Sequence, residues 1–166
     1  LKMSISTDAL MTSHGEERKW YEYSNQVFGK SETAVVVFHD EKLFSRKRLT
    51  AIKKAAEDLE SLPFISSTIS LYNQKNYKSV DGNITANPYC GTEPSTKAEL
   101  ESIKQDILFN PIIRNQLLSE DAKTMAIQLT FNTDLTEKYN DNITKTAIED
   151  VIAPLRKIFN KVYQVG

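Results

Sequence analysis

A single cysteine, Cys90, stands in this 166-residue chain, so no internal disulfide braces the fold. Flanked by Pro88 and Gly91 in a polar stretch, that thiol reads as a tolerated loop residue. Histidine is nearly as scarce: His14 and His39 are the only two. The run His39-Asp40-Glu41 is the one tight group of metal-ligand types. Successive residues on an extended chain point to opposite sides, so three in a row do not converge on one ion. The expected role is a solvated strand-to-helix turn, with no metal and no other cofactor. No apolar run approaches the roughly 18 residues that would cross a bilayer. Charge of one sign is lacking too. Twenty-one basic and 22 acidic residues leave a net −1, without the basic excess that a nucleic-acid partner asks for. Gly-rich phosphate loops, a nucleophile elbow and a Cys/His pair are all missing. The adjacent carboxylates Glu57 and Asp58 sit among lysines and read as surface ion pairs, so no enzymatic activity is expected. Two glycosylation-type triplets, Asn83-Ile-Thr85 and Asn142-Ile-Thr144, carry meaning only in a eukaryotic secretory setting and read as chance.

What remains is ordinary globular material, 40% hydrophobic and 26% charged. A chain of this size fits one domain that buries about two-thirds of its unfolded surface. Leu1, Met3 and Ile5 alternate with polar residues as a half-buried strand does, and Val162–Gly166 is β-like as well. Ends of this kind lead to the expectation of a piece of a longer polypeptide whose two extremities emerge side by side. His14 to Phe28 reads as a helix, with Trp20, Tyr23 and Val27 on one stripe and Gly29 as its cap.

Thr33-Ala-Val-Val-Val-Phe-His39 is too short and too β-branched for a helix, and its continuity suggests burial on both faces. Ser45 caps the next helix, which runs to Leu62-Pro63 with Leu49, Ile52, Ala56, Leu59 and Leu62 inward. Arg46, Lys47, Arg48, Lys53 and Lys54 fall off that stripe, a solvated face offset by Glu57, Asp58 and Glu60. A second strand is expected over 67–73. The segment 73–94 shows turn signals at Asp81-Gly82, Asn87-Pro88 and Cys90-Gly91 but no apolar period, the mark of a long loop. Thr96-Lys-Ala-Glu99 is a capping box, opening a helix with Leu100, Ile103, Ile107 and Leu108 on one side and Asn110-Pro111 as its stop. Met125, Ile127, Leu129 and Phe131 alternate without fault as a one-face-buried strand, with Gln116–Leu118 as a candidate hairpin partner. A last helix over 142–160 carries Pro154 inside its pattern and so kinks or divides there.

With 33–73 as a first half, 74–115 as an inserted loop and helix, and 116–166 as a second half, the core order is β-α-β-β-α-β. That is an α+β class, the ferredoxin-like split β-α-β sandwich, preceded by a lead-in strand and helix over 1–32. Phe44, Phe64, Tyr72, Tyr77 and Tyr89 gather in sequence around the second strand and the following loop. Ordinary packing explains them, and lining a hydrophobic path is the functional alternative.

The order of short motifs resembles the extracytoplasmic porter domain of RND-superfamily exporters, in the MMPL and patched-like branch. The matching residues are Met3-Ser-Ile-Ser-Thr-Asp8, Phe28-Gly29 with Glu32 and Val35-Val-Val37, Leu43-Phe44-Ser45, Leu62-Pro63 with Ile69-Ser70-Leu71, Asn110-Pro111, and Leu118-Ser119-Glu-Asp121 before Thr124–Phe131. None is specific alone, but they keep their order along about 160 residues. One departure stands out. Family members place glycine after the aspartate of that last turn, and Ala122 would meet a positive φ at a cost of about 1 kcal/mol. The turn is therefore expected to differ.

The resemblance implies the periplasmic part of a proton-driven exporter in the bacterial inner membrane, moving lipid-like or hydrophobic cargo. Its partners would be transmembrane helices and a sister porter domain of the same polypeptide, with homo-oligomerisation open. Energy coupling would reside in the transmembrane helices rather than in this chain. The competing expectations are a free-standing ferredoxin-like module that binds a small ligand and, more remotely, an acid–base enzyme on the same fold.

Overall fold

The computed structural model describes Lys19 and residues 32–91, 93–94, 96–135 and 139–166. Lys19 is helical, and the rest of the lead-in strand and helix expected before residue 32, with the position of Leu1, lies outside the described residues. Six strands and three α-helices follow in the order β1 (Thr33–His39), α1 (Arg46–Glu60), β2 (Ile65–Ile69), β3 (Lys75–Val80), β4 (Asn83–Pro88), α2 (Lys97–Phe109), β5 (Thr124–Phe131), α3 (Asp141–Ile152) and β6 (Lys161–Val165).

β2, β5, β1 and β6 make one sheet in that spatial order, with every neighbouring pair antiparallel. Leaving out the inserted β3, β4 and α2, the first strand lies between the third and the fourth, and the second is at the far edge. This is the ferredoxin-like split β-α-β order, and the fold class is α+β. The registers Ala34↔Leu129, Val36↔Ile127 and Phe38↔Met125 align six buried side chains on one face. Leu49, Ile52, Ala55, Ala56 and Leu59 of α1, and Ile148 and Ile152 of α3, join them in a single core. Phe38 and Phe159 meet edge to face at 5.4 Å. Burial along β1 alternates, so Val35 and Val37 stand half-exposed on the opposite face. A strand covered on both sides belongs to parallel sheets, and this one is antiparallel with one wetter face.

Helix boundaries follow the caps. The Ser45 hydroxyl accepts from Arg48 N–H, Thr96 from Glu99 N–H, and the Asn140 side chain from Ile143 N–H. Pro154 lies at the start of a 3-10 turn, Ala153–Lys157, that succeeds α3, because a proline there has no N–H to give the preceding turn.

Two stretches depart from the sequence expectation. β2 spans Ile65–Ile69 and stops two residues before Leu71. Ser70 accepts through its carbonyl from Asn73 and Gln74 N–H, while Asn73 Oδ1 accepts from Ser70 N–H, so these hydrogen bonds close a turn in place of a ladder. The supposed loop after it is a hairpin, β3 against β4, joined by Asp81-Gly82 with φ of 50° and 81°. Apolar residues are sparse in both strands, with Tyr77, Ile84 and Ala86 on one face and Val80 on the other, which hid them from a search for alternation. Gln116–Leu118 contributes only isolated bridges, Arg114↔Leu118 and Leu118↔Met125, and no strand.

Ala122 does adopt φ of 58°, so the turn keeps the left-handed residue that a glycine would occupy. The Asp121 carboxylate accepts from the Ser119 hydroxyl at 2.6 Å and from Lys123 N–H at 3.0 Å. Ala122 N–H donates to the Ser119 carbonyl. These bonds hold a geometry that the alanine itself disfavours.

Candidate functional site

The five aromatic residues do not converge. Phe64 is buried and faces Phe131 at 5.9 Å and Tyr139 at 5.5 Å. Tyr72 packs on the α1 side of the core, where its hydroxyl donates to the Leu49 carbonyl at 2.6 Å. Tyr89 is buried, with its hydroxyl 3.0 Å from Asn110 Nδ2. Phe44 is half-buried against the core, and Tyr77 alone is open to solvent, at 70% exposure. Four of the five thus serve packing.

Tyr72 and Cys90 floor a crevice between α1 and the insert, rimmed by Thr50, Lys53, Glu93 and Ile103. Its free space for a water-sized sphere is about 10 Å³, enough for a single water and far below any organic ligand. Burial pushes the Cys90 thiol up to about 12 and raises the Tyr72 hydroxyl well above its ordinary value. Cys90 lies in the turn after β4, as a loop residue, but its side chain is buried in the core. Native Cys90 is expected to react with a soluble thiol reagent at pH 8 at least about 100-fold more slowly than the unfolded chain, since thiolate is the reacting form. Equal rates with and without denaturant would show the thiol to be exposed.

The densest polar cluster sits at the end of β1. Asp40, expected in a solvated turn, is 2% exposed. Its Oδ1 accepts from Lys42 N–H at 2.8 Å and lies 2.9 Å from Arg48 Nε, and its Oδ2 accepts from Asn160 N–H at 3.1 Å. Asn160 Oδ1 in turn accepts from Glu41 N–H, and Asp40 N–H donates to the Lys123 carbonyl. Burial alone would raise the Asp40 carboxyl, but the two backbone donors and the Arg48 guanidinium outweigh it and hold the group below its ordinary value. Arg48 is consequently not part of the solvated basic face, whereas Arg46 and Lys54 are, pairing at the surface with Glu93 and Asp58. This cluster clips together the β1–α1 junction, the lead-in to β6 and the start of β5.

Beside it, His39 Nδ1 lies 2.8 Å from Thr124 Oγ1, and Lys123 pairs with Glu41 at 2.7 Å. Among the described residues no three His, Cys, Asp or Glu side chains gather as metal ligands would. No described helix is long and apolar enough to cross a membrane.

Exposed apolar surface is the remaining candidate, and it concentrates on the insert. Tyr77, Val80 and Ile84 protrude from the hairpin, Phe109 from the end of α2 and Ile112 just beyond it. One hairpin face is tied down: Lys78 Nζ and Asn76 Nδ2 both reach Asp106 Oδ2 of α2, at 2.6 and 3.2 Å. The registers Tyr77↔Ala86 and Ser79↔Ile84 put the opposite face in solvent. The arrangement offers apolar contact and open strand edges. Sequence reasoning missed this arm, although Asp-Gly between Val80 and Ile84 is a strong two-residue hairpin signal.

A scan against models of protein families finds no match to the chain, and a search of curated proteins finds no similar one.

Proposed function

We propose that this chain is a porter-like extracytoplasmic domain of an RND-type exporter, working by surface contact and not by catalysis. The observation that supports it most is where the family-like motifs fall: at the junctions of a ferredoxin-like sandwich interrupted by an insert. Leu43-Phe44-Ser45 ends in the N-cap of α1, and Leu62-Pro63 lies one residue before β2. Ile69-Ser70-Leu71 crosses from β2 into the hydrogen-bonded turn, and Leu118-Ser119-Glu-Asp121 forms the tight turn into β5. Motifs that set caps and turns fix a topology, so their shared order speaks for a shared architecture.

In this reading the sandwich is a rigid wall, and the insert with Tyr77, Ile84 and Phe109 supplies apolar surface for lipid-like cargo or for a sister porter domain. Domain rocking, driven by proton flow through transmembrane helices elsewhere in the polypeptide, would open and close the path. The small-ligand module is the weaker reading: the crevices at Tyr72 and at Phe64 admit about a water or two, and a wider recess of about 640 Å³ at Glu32, Tyr139 and Asn140 is open and lined mostly by polar side chains.

The gene's reading frame tests this directly. Apolar stretches of about 20 residues are expected immediately before Leu1 and after Gly166. A start codon just upstream of Leu1 with a stop codon after Gly166 would end the exporter reading.

A further inference from the structure

The hairpin arm has an open backbone edge whose chemistry selects its occupant. A two-residue turn makes the flanking pair, Val80↔Asn83, the doubly hydrogen-bonded one. Bonded and non-bonded pairs then alternate, so Lys78↔Thr85 and Asn76↔Asn87 also bond inward. The N–H and C=O groups of Ile84 and Ala86 therefore point outward from β4, and those of Tyr77 and Ser79 outward from β3. Pro88 occupies the next outward position on β4, where its missing N–H costs the hairpin nothing and bounds the edge.

The two edges differ in charge. β3 carries Lys75 and Lys78, the usual guard against strand addition, whereas β4 runs Asn83-Ile-Thr-Ala-Asn-Pro88 without one ionisable side chain. We propose that β4 is a self-association edge, pairing antiparallel with β4 of a second copy of this chain about a two-fold axis at Thr85. Each Ile84 then faces Ala86 of the other copy, and the outward N–H and C=O groups of both residues are all satisfied. No like charges meet along the seam, whereas the corresponding β3 pairing about Lys78 would set two lysines face to face. The side chains of Ile84 and Ala86 share a face with Tyr77, so the pairing joins the two exposed apolar patches into one across a four-stranded ribbon. An isologous contact of this kind closes on itself and yields a dimer, not a fibre. Two six-residue edges make a small interface, so the association is weak and reversible. This inference does not depend on the exporter reading.

Sedimentation velocity across a concentration series tests it, together with amide exchange. The wild-type chain is expected to dimerise at concentrations below about 1 mM, with Ile84 and Ala86 amides gaining protection as concentration rises. Ala86→Pro removes an outward donor used twice across the axis, and Ile84→Lys places charge on a residue already 78% exposed. Each is expected to weaken association at least about tenfold, while Ser79→Pro on the β3 edge leaves it unchanged. A wild-type chain monomeric throughout, a dimer indifferent to both β4 variants, or one equally sensitive to Ser79→Pro would overturn the proposal.

Discussion

Asp40→Ala is expected to cost about 3–5 kcal/mol, because it strands the Arg48 guanidinium and two backbone N–H groups that the carboxylate serves. Replacing one partner of a buried pair leaves the other charge uncompensated, a far larger penalty than losing a surface pair. In a chain of this length that loss lowers the melting temperature by roughly 10 °C. A drop under about 1 kcal/mol in urea titration, the value for a solvated ion pair, would mean the cluster is superficial. The pH dependence has a definite sign. Asp40 titrates lower in the folded state than unfolded, so its stabilisation is complete above the ordinary aspartate value and fades as pH falls through the folded one. The gap between wild type and Asp40→Ala is therefore constant near neutrality and narrows below about pH 4.

Ile127→Asp is expected to do more, abolishing the folded state outright. Ile127 is fully buried at the centre of β5 opposite Val36, between both helices and the sheet. A carboxyl there loses the isoleucine's burial and gains no hydrogen-bond partner, a combined cost comparable with the 5–15 kcal/mol that holds a domain together. Gln128→Asp, one residue along on the wetter face, serves as the control and is expected to change the melting temperature little. Because side chains alternate strictly along a strand, the two variants read the register directly. Circular dichroism melts in which Ile127→Asp matches wild type and Gln128→Asp unfolds would invert the sheet.

Where one physical signal dominated, the sequence was enough. β5 is legible because four apolar residues alternate without interruption, α1 because Ser45 caps a clean apolar stripe, and the break at Pro154 because proline cannot donate. The misreadings have separate causes. Tyr72 and Leu71 look strand-like in composition, but the Asn73 and Ser70 side chains compete for the same backbone groups and turn the chain early. The β3–β4 arm has little apolar alternation because it packs by one carboxylate, Asp106, and not by a hydrophobic face. Asp40 looked solvated because nothing in linear order reveals that Asn160, 120 residues away, donates to it. The aromatic residues were grouped by proximity in the chain, and tertiary folding sends Phe64 to Tyr139 and Tyr72 to Leu49. Long-range partnerships of this kind are invisible to periodicity.

Ala122 with φ of 58° shows the opposite failure, in which a correct local cost was overruled by hydrogen bonds around Ser119 and Asp121. Local strain is tolerated where several neighbouring bonds oppose its release.

The clip at Asp40 also governs how the whole body can move. Because one carboxylate fastens the exits of the first strand and the approach to the last, the two halves of the sandwich cannot slide or splay apart without exposing a bare cation. Relative motion of the two halves is therefore costly, and the β3–β4 arm, tied to α2 through two polar contacts at Asp106, is the part that yields first.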